Sequence, residues 1–201
     1  GGTIYGYADK TGTYDGTFSA KGGANSGDGG SIETSGKSVD IQSGLRVDAT
    51  AANGATGSWT IDPDDLTIDG GNVGAFEAGL DTANVNLLAD NSITLDTDFN
   101  TSGQANSNTL NFQDEGADNN LTINLNGKIT LAASQSLTGD GTSVNVGSAG
   151  SIQNGVDVAA TGADVNVAVG TYAGNVYIDK GLTLAGAGMD ETYLTGGIDL
   201  S

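Results

Sequence analysis

The chain has 201 residues, of which 34 are glycine, one is proline and none is cysteine. Its 25 acidic and six basic side chains leave a formal charge of −19, so it offers no basic surface for nucleic acid phosphates or anionic membranes. The lack of cysteine excludes disulfides and thiolate metal sites. No apolar run approaches the roughly 18 residues of a membrane-spanning helix.

Disorder is the first alternative for a glycine-rich acidic chain, because such a chain can bury little apolar surface. The arrangement of the apolar residues argues against it. In the run Leu121–Leu125, leucine and isoleucine alternate with Thr122 and Asn124. This period of two places the apolar side chains on one face of a β-strand.

Short strands separated by Gly, Asn, Asp and Ser turns are predicted along the whole chain. One segment, 75–80, has the composition of a helix, but its glycine neighbours limit the prediction to one turn. The ends of the chain also read as strands, so we expect it to be a piece of a longer protein. The predicted strands lie near 3–8, 14–19, 31–34, 38–42, 45–50, 58–61, 66–69, 84–89, 92–97, 109–113, 121–126, 128–132, 143–147, 151–153, 164–169, 175–178, 182–185 and 192–194.

Two all-β architectures fit so many short strands: an antiparallel sandwich or barrel, and a parallel β-solenoid. Two-residue hairpin turns are typical of antiparallel strands, and Asn126-Gly127 is the one place where such a turn fits. The uneven gaps and the small or β-branched apolar residues favour the solenoid. We expect coils of roughly 20 to 25 residues, about eight to ten of them.

Three stretches of the chain carry a family resemblance. The run Ala8–Ala20, the segment Gly22–Gly36 with its Gly27-Asp28-Gly29-Gly30 turn, and the run Gly57–Ile68 with Trp59 resemble the shaft of filamentous haemagglutinin-type exoproteins of Gram-negative two-partner secretion. Residues 84–150 are similar to degenerate shaft repeats of that family. Residues 162–201 resemble the opening coils of pectin-lyase-like β-helices.

Both resemblances imply a right-handed parallel β-helix, which would form one continuous domain over residues 1–201, with 1–70 as haemagglutinin-like coils. They also imply a secreted, extracellular or cell-surface protein that is exported unfolded. Its expected role is that of a structural or adhesive shaft without enzymatic activity. Its expected partners are a surface glycan or protein of a host or neighbouring cell, or further copies stacked end to end into a fibre.

A polysaccharide-binding or polysaccharide-degrading β-helix is the competing function. Known β-helix enzymes of this kind need clustered carboxylates with a basic residue. This chain has no histidine and a single arginine, Arg46, and its five lysines are scattered. A charge of −19 would also repel polyuronates, so no catalytic residue is predicted.

Calcium is the one cofactor that the sequence suggests, and the suggestion is weak. Asp62, Asp64 and Asp65 surround Pro63 and could supply the carboxylate oxygens that calcium prefers. The same residues also suit an ordinary proline turn. The Gly27–Gly30 segment occurs once, without the repeat of calcium-binding glycine–aspartate motifs, and is interpreted as a turn.

Two further features are given structural interpretations. Thr122, Asn124 and Asn166 lie at outward strand positions and could form ladders that bind ice or sugar, although stacked Asn or Thr more often stabilises the solenoid itself. Trp59, the only tryptophan, lies in an alternating strand. We therefore expect it to fill the core.

Overall fold

The structure is a computed structural model and describes residues 1–116 and 120–201; residues 117–119 of the predicted 84–150 repeats lie outside the described residues. Most of the described chain is β-strand, with two short helices, α1 (Val73–Thr82) and α2 (Ile152–Val158). The strands are β1 (Thr3–Tyr14), β2 (Thr17–Ser19), β3 (Ser31–Ile41), β4 (Arg46–Asp48), β5 (Ser58–Asp62), β6 (Asp65–Ile68), β7 (Asn84–Ala89), β8 (Ser92–Leu95), β9 (Phe99–Asn100), β10 (Thr109–Asp114), β11 (Thr122–Leu125), β12 (Ile129–Thr130), β13 (Ser136–Gly139), β14 (Gly141–Val146), β15 (Ala159–Val167), β16 (Gly170–Tyr172), β17 (Val176–Ile178), β18 (Thr183–Gly186), β19 (Thr192–Leu194) and β20 (Ile198–Leu200).

Two six-stranded sheets organise the molecule. The front sheet has the order β1-β3-β5-β7-β10-β13, and the back sheet has the order β18-β15-β14-β11-β8-β6. Four further pairs, β2-β4, β9-β12, β16-β19 and β17-β20, add short two-stranded sheets. The strand pairs found in the described residues are all parallel, which confirms the predicted all-β class with parallel sheets and contradicts the antiparallel sandwich. The handedness and closure of the coil stay predictions.

The register explains how so few large apolar residues form a core. Paired strands bring together positions from 18 residues apart, as for Gly141 and Ala159, to 30 residues apart, as for Ile93 and Ile123. Alternate side chains of both sheets point into one apolar cluster. Because each inward residue stacks on an inward residue of the neighbouring strand, columns of Val, Ile and Leu with a few aromatic residues fill the interior.

Outward positions of the back sheet carry a ladder of polar side chains. Asn124 donates its amide to Thr94 Oγ1 at 3.1 Å, Asn145 donates to Asn124 Oδ1 at 2.9 Å, and Asn166 donates to Asn145 Oδ1 at 3.4 Å. The predicted ladder through Asn124 and Asn166 is therefore present. Because these amides bond to one another, the structure favours the self-stabilising role of the ladder.

Truncating the middle of this ladder is expected to destabilise the protein measurably. Asn145→Ala removes one donated and one accepted hydrogen bond, with an expected loss of about 1 kcal/mol in the free energy of unfolding. Asn166→Ala removes only the longer bond and serves as the graded control. Urea titrations followed by circular dichroism measure the free energy of unfolding of both variants. An equal loss of free energy in the two variants would show that the ladder is not a source of stability.

The helix α1 is longer than predicted, so the expectation of at most one turn at 75–80 is wrong. Its ten residues bury Ala75, Phe76, Gly79 and Leu80. The sequence-based argument counted the glycines as helix breakers. In the structure Gly79 instead lies against the ring of Trp59, where an added Cβ would come within 2.6 Å of the ring carbons. Tertiary packing therefore overrides the low helix propensity of glycine.

The helix α2 occupies residues predicted as a strand at 151–153, and that prediction is wrong. Ile152, Gly155, Val156 and Val158 are buried along its seven residues. As in α1, a glycine makes the close approach, since a Cβ on Gly155 would lie 2.6 Å from Val146 Cγ2. A segment this short has too few turns to show helical periodicity in the sequence.

Several strand boundaries also differ from the prediction. The run 3–8 is too short, because β1 continues to Tyr14 with a register shift between Ala8 and Thr11, and the run 14–19 is divided between the end of β1 and β2. Asn126-Gly127 does not close a hairpin, since β12 pairs with β9 rather than with β11. No helix in the described part of the chain combines the length and apolar character needed to cross a membrane.

Candidate functional site: a tyrosine-lined acidic groove

Two tyrosines project from the outer face of β1. Strand alternation turns Ile4 and Gly6 inward and Tyr5 and Tyr7 outward, where the two tyrosines remain 62% and 60% exposed. Their rings lie nearly parallel, with an interplanar angle of 4° and centroids 6.2 Å apart. Together they present exposed aromatic surface at the edge strand of the front sheet.

A groove of about 400 Å³ runs beside these rings. We call it the tyrosine groove, and its lining includes Tyr5, Tyr7, Asp9, Lys37, Asp62 and Glu115. Its position follows from the register of the front sheet, in which Tyr7 pairs with Ser35 and Ser35 pairs with Asp62. Parallel pairing thus aligns outward side chains from distant parts of the sequence along one line.

Most of the groove's polar groups are acidic. Glu33 stands beside Tyr5 in the register and accepts a hydrogen bond from the Ser35 hydroxyl at 2.6 Å. Lys37 is the cation of the lining, and its ammonium lies 3.8 Å from Asp64 Oδ2. Both of these side chains are exposed, so the ion pair is weak. The carboxylates of Asp62 and Glu115 therefore have little positive charge beside them.

Asp62 and Glu115 influence each other's protonation. Burial raises the pKa of the Asp62 carboxyl, and the nearby charges of Glu33 and Asp90 add to that effect. The pKa of the Glu115 carboxyl is also raised. The main cause is its hydrogen bond with Asp62, and the second is burial. Burial and the charge of Glu115 also raise the pKa of Asp90. The cluster therefore holds a proton more tightly than separate carboxyl groups in water would.

This proton makes stability depend on pH. Because the pKa of Glu115 is higher in the folded protein than in the unfolded chain, the folded state is favoured at low pH. This stabilisation is lost as the pH rises from the pKa of an ordinary carboxyl group, about 4, to the raised pKa of Glu115 in the folded protein. We expect Glu115→Gln to increase the free energy of unfolding at neutral pH and to flatten its fall with rising pH.

Thermal or urea unfolding at a series of pH values tests this expectation. Asp199→Asn is the matched control, because it also removes one negative charge but from an exposed carboxylate on β20. Removing any negative charge from a chain of charge −19 reduces electrostatic repulsion and can stabilise the folded state. The control measures the size of that effect. Identical pH profiles for the two variants would contradict a shared proton at Glu115.

The three calcium candidates have separate partners. Asp62 faces the groove, Asp64 lies near Lys37, and Asp65 accepts hydrogen bonds from Ser92 at 2.6 Å and Asn91 at 3.5 Å. Asp62 ends a strand of the front sheet whereas Asp65 begins a strand of the back sheet, so the two face different sides of the corner. Within residues 1–116 and 120–201, no group of three or more acidic side chains is placed to hold a metal ion. The structure therefore adds no support to the calcium hypothesis.

The remaining residues singled out in the sequence have structural roles. Trp59 is fully buried, which confirms its predicted place in the core. Arg46 donates hydrogen bonds to the carbonyls of Ser43 at 2.9 Å and Leu45 at 2.6 Å. In the Gly27–Gly30 segment, Asp28 Oδ1 accepts a hydrogen bond from the Ala55 N–H at 2.8 Å, which ties the segment to a distant part of the chain; the turn interpretation stays a prediction.

Sequence reasoning singled out Asp62 and Asp64 but missed Tyr5, Tyr7 and Glu115 of the groove. The alternation Tyr5-Gly6-Tyr7 was a usable signal, because it places two large rings on the same strand face. No local signal connects Asp62 to Glu115, which are brought together only by pairing across several strands.

Comparisons with protein-family models, with curated proteins and with solved structures find no match for this chain.

Proposed function

We propose that this chain is a structural and adhesive shaft segment of a secreted, cell-surface exoprotein, without enzymatic activity, and that its strands follow one right-handed parallel β-helix. The observation that carries the proposal is the parallel pairing of every pair of neighbouring strands in the two large sheets. About eight coils stacked in this way would form a rod in which each coil contacts only its neighbours. Continuous backbone hydrogen bonding along such a rod would allow a shaft segment to resist mechanical force.

The location outside the cell is supported by composition and by the family resemblance. A chain without cysteine can be exported unfolded without forming wrong disulfides, and its high negative charge favours solubility. The shaft-like run Ala8–Ala20 corresponds in the structure to the second half of β1 with β2, and the run Gly57–Ile68 corresponds to β5 and β6. The proposed partners remain a surface glycan or protein.

Stacking of copies end to end is part of the proposal. Charge is unevenly distributed along the chain: residues 1–46 hold four of the six basic side chains and five of the 25 acidic ones. Met189 and Leu200, near the last strands, are 92% and 78% exposed. A contact between these two ends would place a nearly neutral segment against an acidic one and cover apolar surface. Sedimentation at low and high salt tests this, and a monomer at all salt and protein concentrations would reject it.

Mechanical unfolding tests the shaft itself. The chain is placed between two reference domains and pulled at both ends in a single-molecule experiment. We expect successive steps that each release one or a few coils, because the interactions run between neighbours. A single all-or-none release of the whole chain at low force would contradict a load-bearing solenoid.

A polysaccharide-degrading enzyme is the second candidate, and the paired carboxyls of Asp62 and Glu115 are the observation that favours it. One carboxyl with a raised pKa beside another can act as acid and base in glycoside cleavage. Incubation with acidic and neutral polysaccharides decides between the candidates. Product release that is abolished by Asp62→Asn or Glu115→Gln would replace the shaft proposal with this one.

A further inference from the structure

The tyrosine groove combines features that the shaft role alone does not require. Tyr5 and Tyr7 leave more than half of each ring in contact with water, yet they are held parallel to each other. Paired exposed aromatic rings beside a groove provide a stacking surface for a flat, partly apolar ligand. Tyr177 and Tyr193 are exposed to a similar degree, 52% and 50%, but lie outside this groove.

The charge of the groove narrows the class of ligand. Asp9, Asp62, Asp64 and Glu115 line it together with the single cation Lys37. Uronic acids, sulfated sugars and phosphates would therefore be repelled. A ligand carrying positive charge would relieve the repulsion among these carboxylates and could also interact with the faces of the tyrosine rings.

We propose that the tyrosine groove binds glycans that carry free ammonium groups, that is, polymers of de-N-acetylated amino sugars. The pyranose rings lie on Tyr5 and Tyr7, and the ammonium groups lie against Asp62 and Glu115. Ser35, between Tyr7 and Asp62 in the register, donates its hydroxyl to Glu33 and so holds that carboxylate beside the groove. This inference rests on the proposed adhesive function, for which it names the ligand.

A sugar fits these observations better than a basic peptide. Charge alone would attract either ligand, but the two rings follow each other along one strand and can stack on successive sugar units of a chain. The hydrogen-bonding groups around the rings also suit a ligand with many hydroxyls. The test therefore separates the contribution of the rings from the contribution of the charge.

Titration calorimetry with a glucosamine hexasaccharide provides the test. The matched ligand is the fully N-acetylated hexasaccharide, which has the same backbone without the ammonium groups. Spermine is the ligand that carries charge without sugar rings. We expect the glucosamine oligosaccharide to bind at least tenfold more tightly than its N-acetylated counterpart, and its affinity to fall as salt is raised.

Variants of the groove then locate the site. Tyr5→Ala and Tyr7→Ala should each weaken oligosaccharide binding by about tenfold while leaving spermine binding nearly unchanged. Asp62→Asn and Glu115→Gln should weaken the binding of both ligands. Tyr177→Ala, Tyr193→Ala and Asp199→Asn are the matched controls outside the groove, and circular dichroism checks that every variant is folded.

Several results would overturn the inference. Equal affinity for the N-acetylated and free-amine oligosaccharides would show that the ammonium group is not recognised. Spermine or oligolysine binding as tightly as the oligosaccharide, without any effect of the tyrosine variants, would indicate a general cation surface. The absence of oligosaccharide binding would reject this ligand class, whereas the pulling experiment would still decide the shaft function separately.

Discussion

Replacing Trp59 by alanine is expected to lower the free energy of unfolding by about 3 to 5 kcal/mol. The indole is fully buried and stacks on Phe76 with ring centroids 5.3 Å apart. Its Nε1–H donates a hydrogen bond to the buried Thr34 Oγ1 at 3.0 Å. Truncation therefore leaves a large cavity and removes a partner from a buried hydroxyl.

The measurement is urea unfolding followed by circular dichroism, because Trp59→Ala removes the chain's only tryptophan. Trp59→Phe separates the two contributions, since it retains an aromatic ring against Phe76 but loses the hydrogen bond to Thr34. We expect this variant to lose less stability than the alanine variant. The exposed Tyr193→Ala is the control, with an expected change within about 0.5 kcal/mol. A loss below about 1 kcal/mol for Trp59→Ala would contradict its role in the core.

Gly79→Ala is expected to destabilise the protein by about 1 to 3 kcal/mol, although alanine is the better helix former. The new Cβ would lie 2.6 Å from Trp59 Cζ3 and 3.3 Å from Val47 Cγ2. Because the indole is fixed between Phe76 and Thr34, it cannot move away without breaking its own contacts. Helix α1 or the ring must shift instead.

A double-mutant cycle tests this explanation. Once Trp59 is replaced by alanine, the space beside Gly79 is open, and Gly79→Ala should then stabilise the helix by up to about 1 kcal/mol. Gly74→Ala is the control within the same helix, because nothing lies within 4 Å of a Cβ at that position. The same sign of effect for Gly79→Ala in both backgrounds would show that the clash with Trp59 is not the cause.

Much of the fold could be predicted because strand alternation is a local property. The run Leu121–Leu125 shows in five residues which side chains face the core, and the structure agrees at each described position. The two helices could not be predicted in the same way. In α1 and α2 a glycine reduces local helix propensity, and its benefit appears only against Trp59 or Val146 on another element.

The candidate site was harder to predict than the fold. The outward residues of a strand can be identified from the alternation in its sequence, as for Tyr5 and Tyr7 on β1. Their neighbours depend on the number of residues in each connection, which decides the register between strands. Asp62 raises the pKa of the Glu115 carboxyl although 53 positions separate the two residues in the chain, and no motif marks Glu115.

The sequence by itself therefore determined the all-β class, the inward and outward faces of most strands, the burial of Trp59 and the acidic character of the surface. These properties depend on the composition and on the period of two within single segments. The tertiary structure confirmed the parallel pairing that the sequence favoured, and it alone decided the register, the two helices and the tyrosine groove. Those features depend on contacts between segments about 20 to 30 residues apart, where the lengths of the turns set which side chains become neighbours.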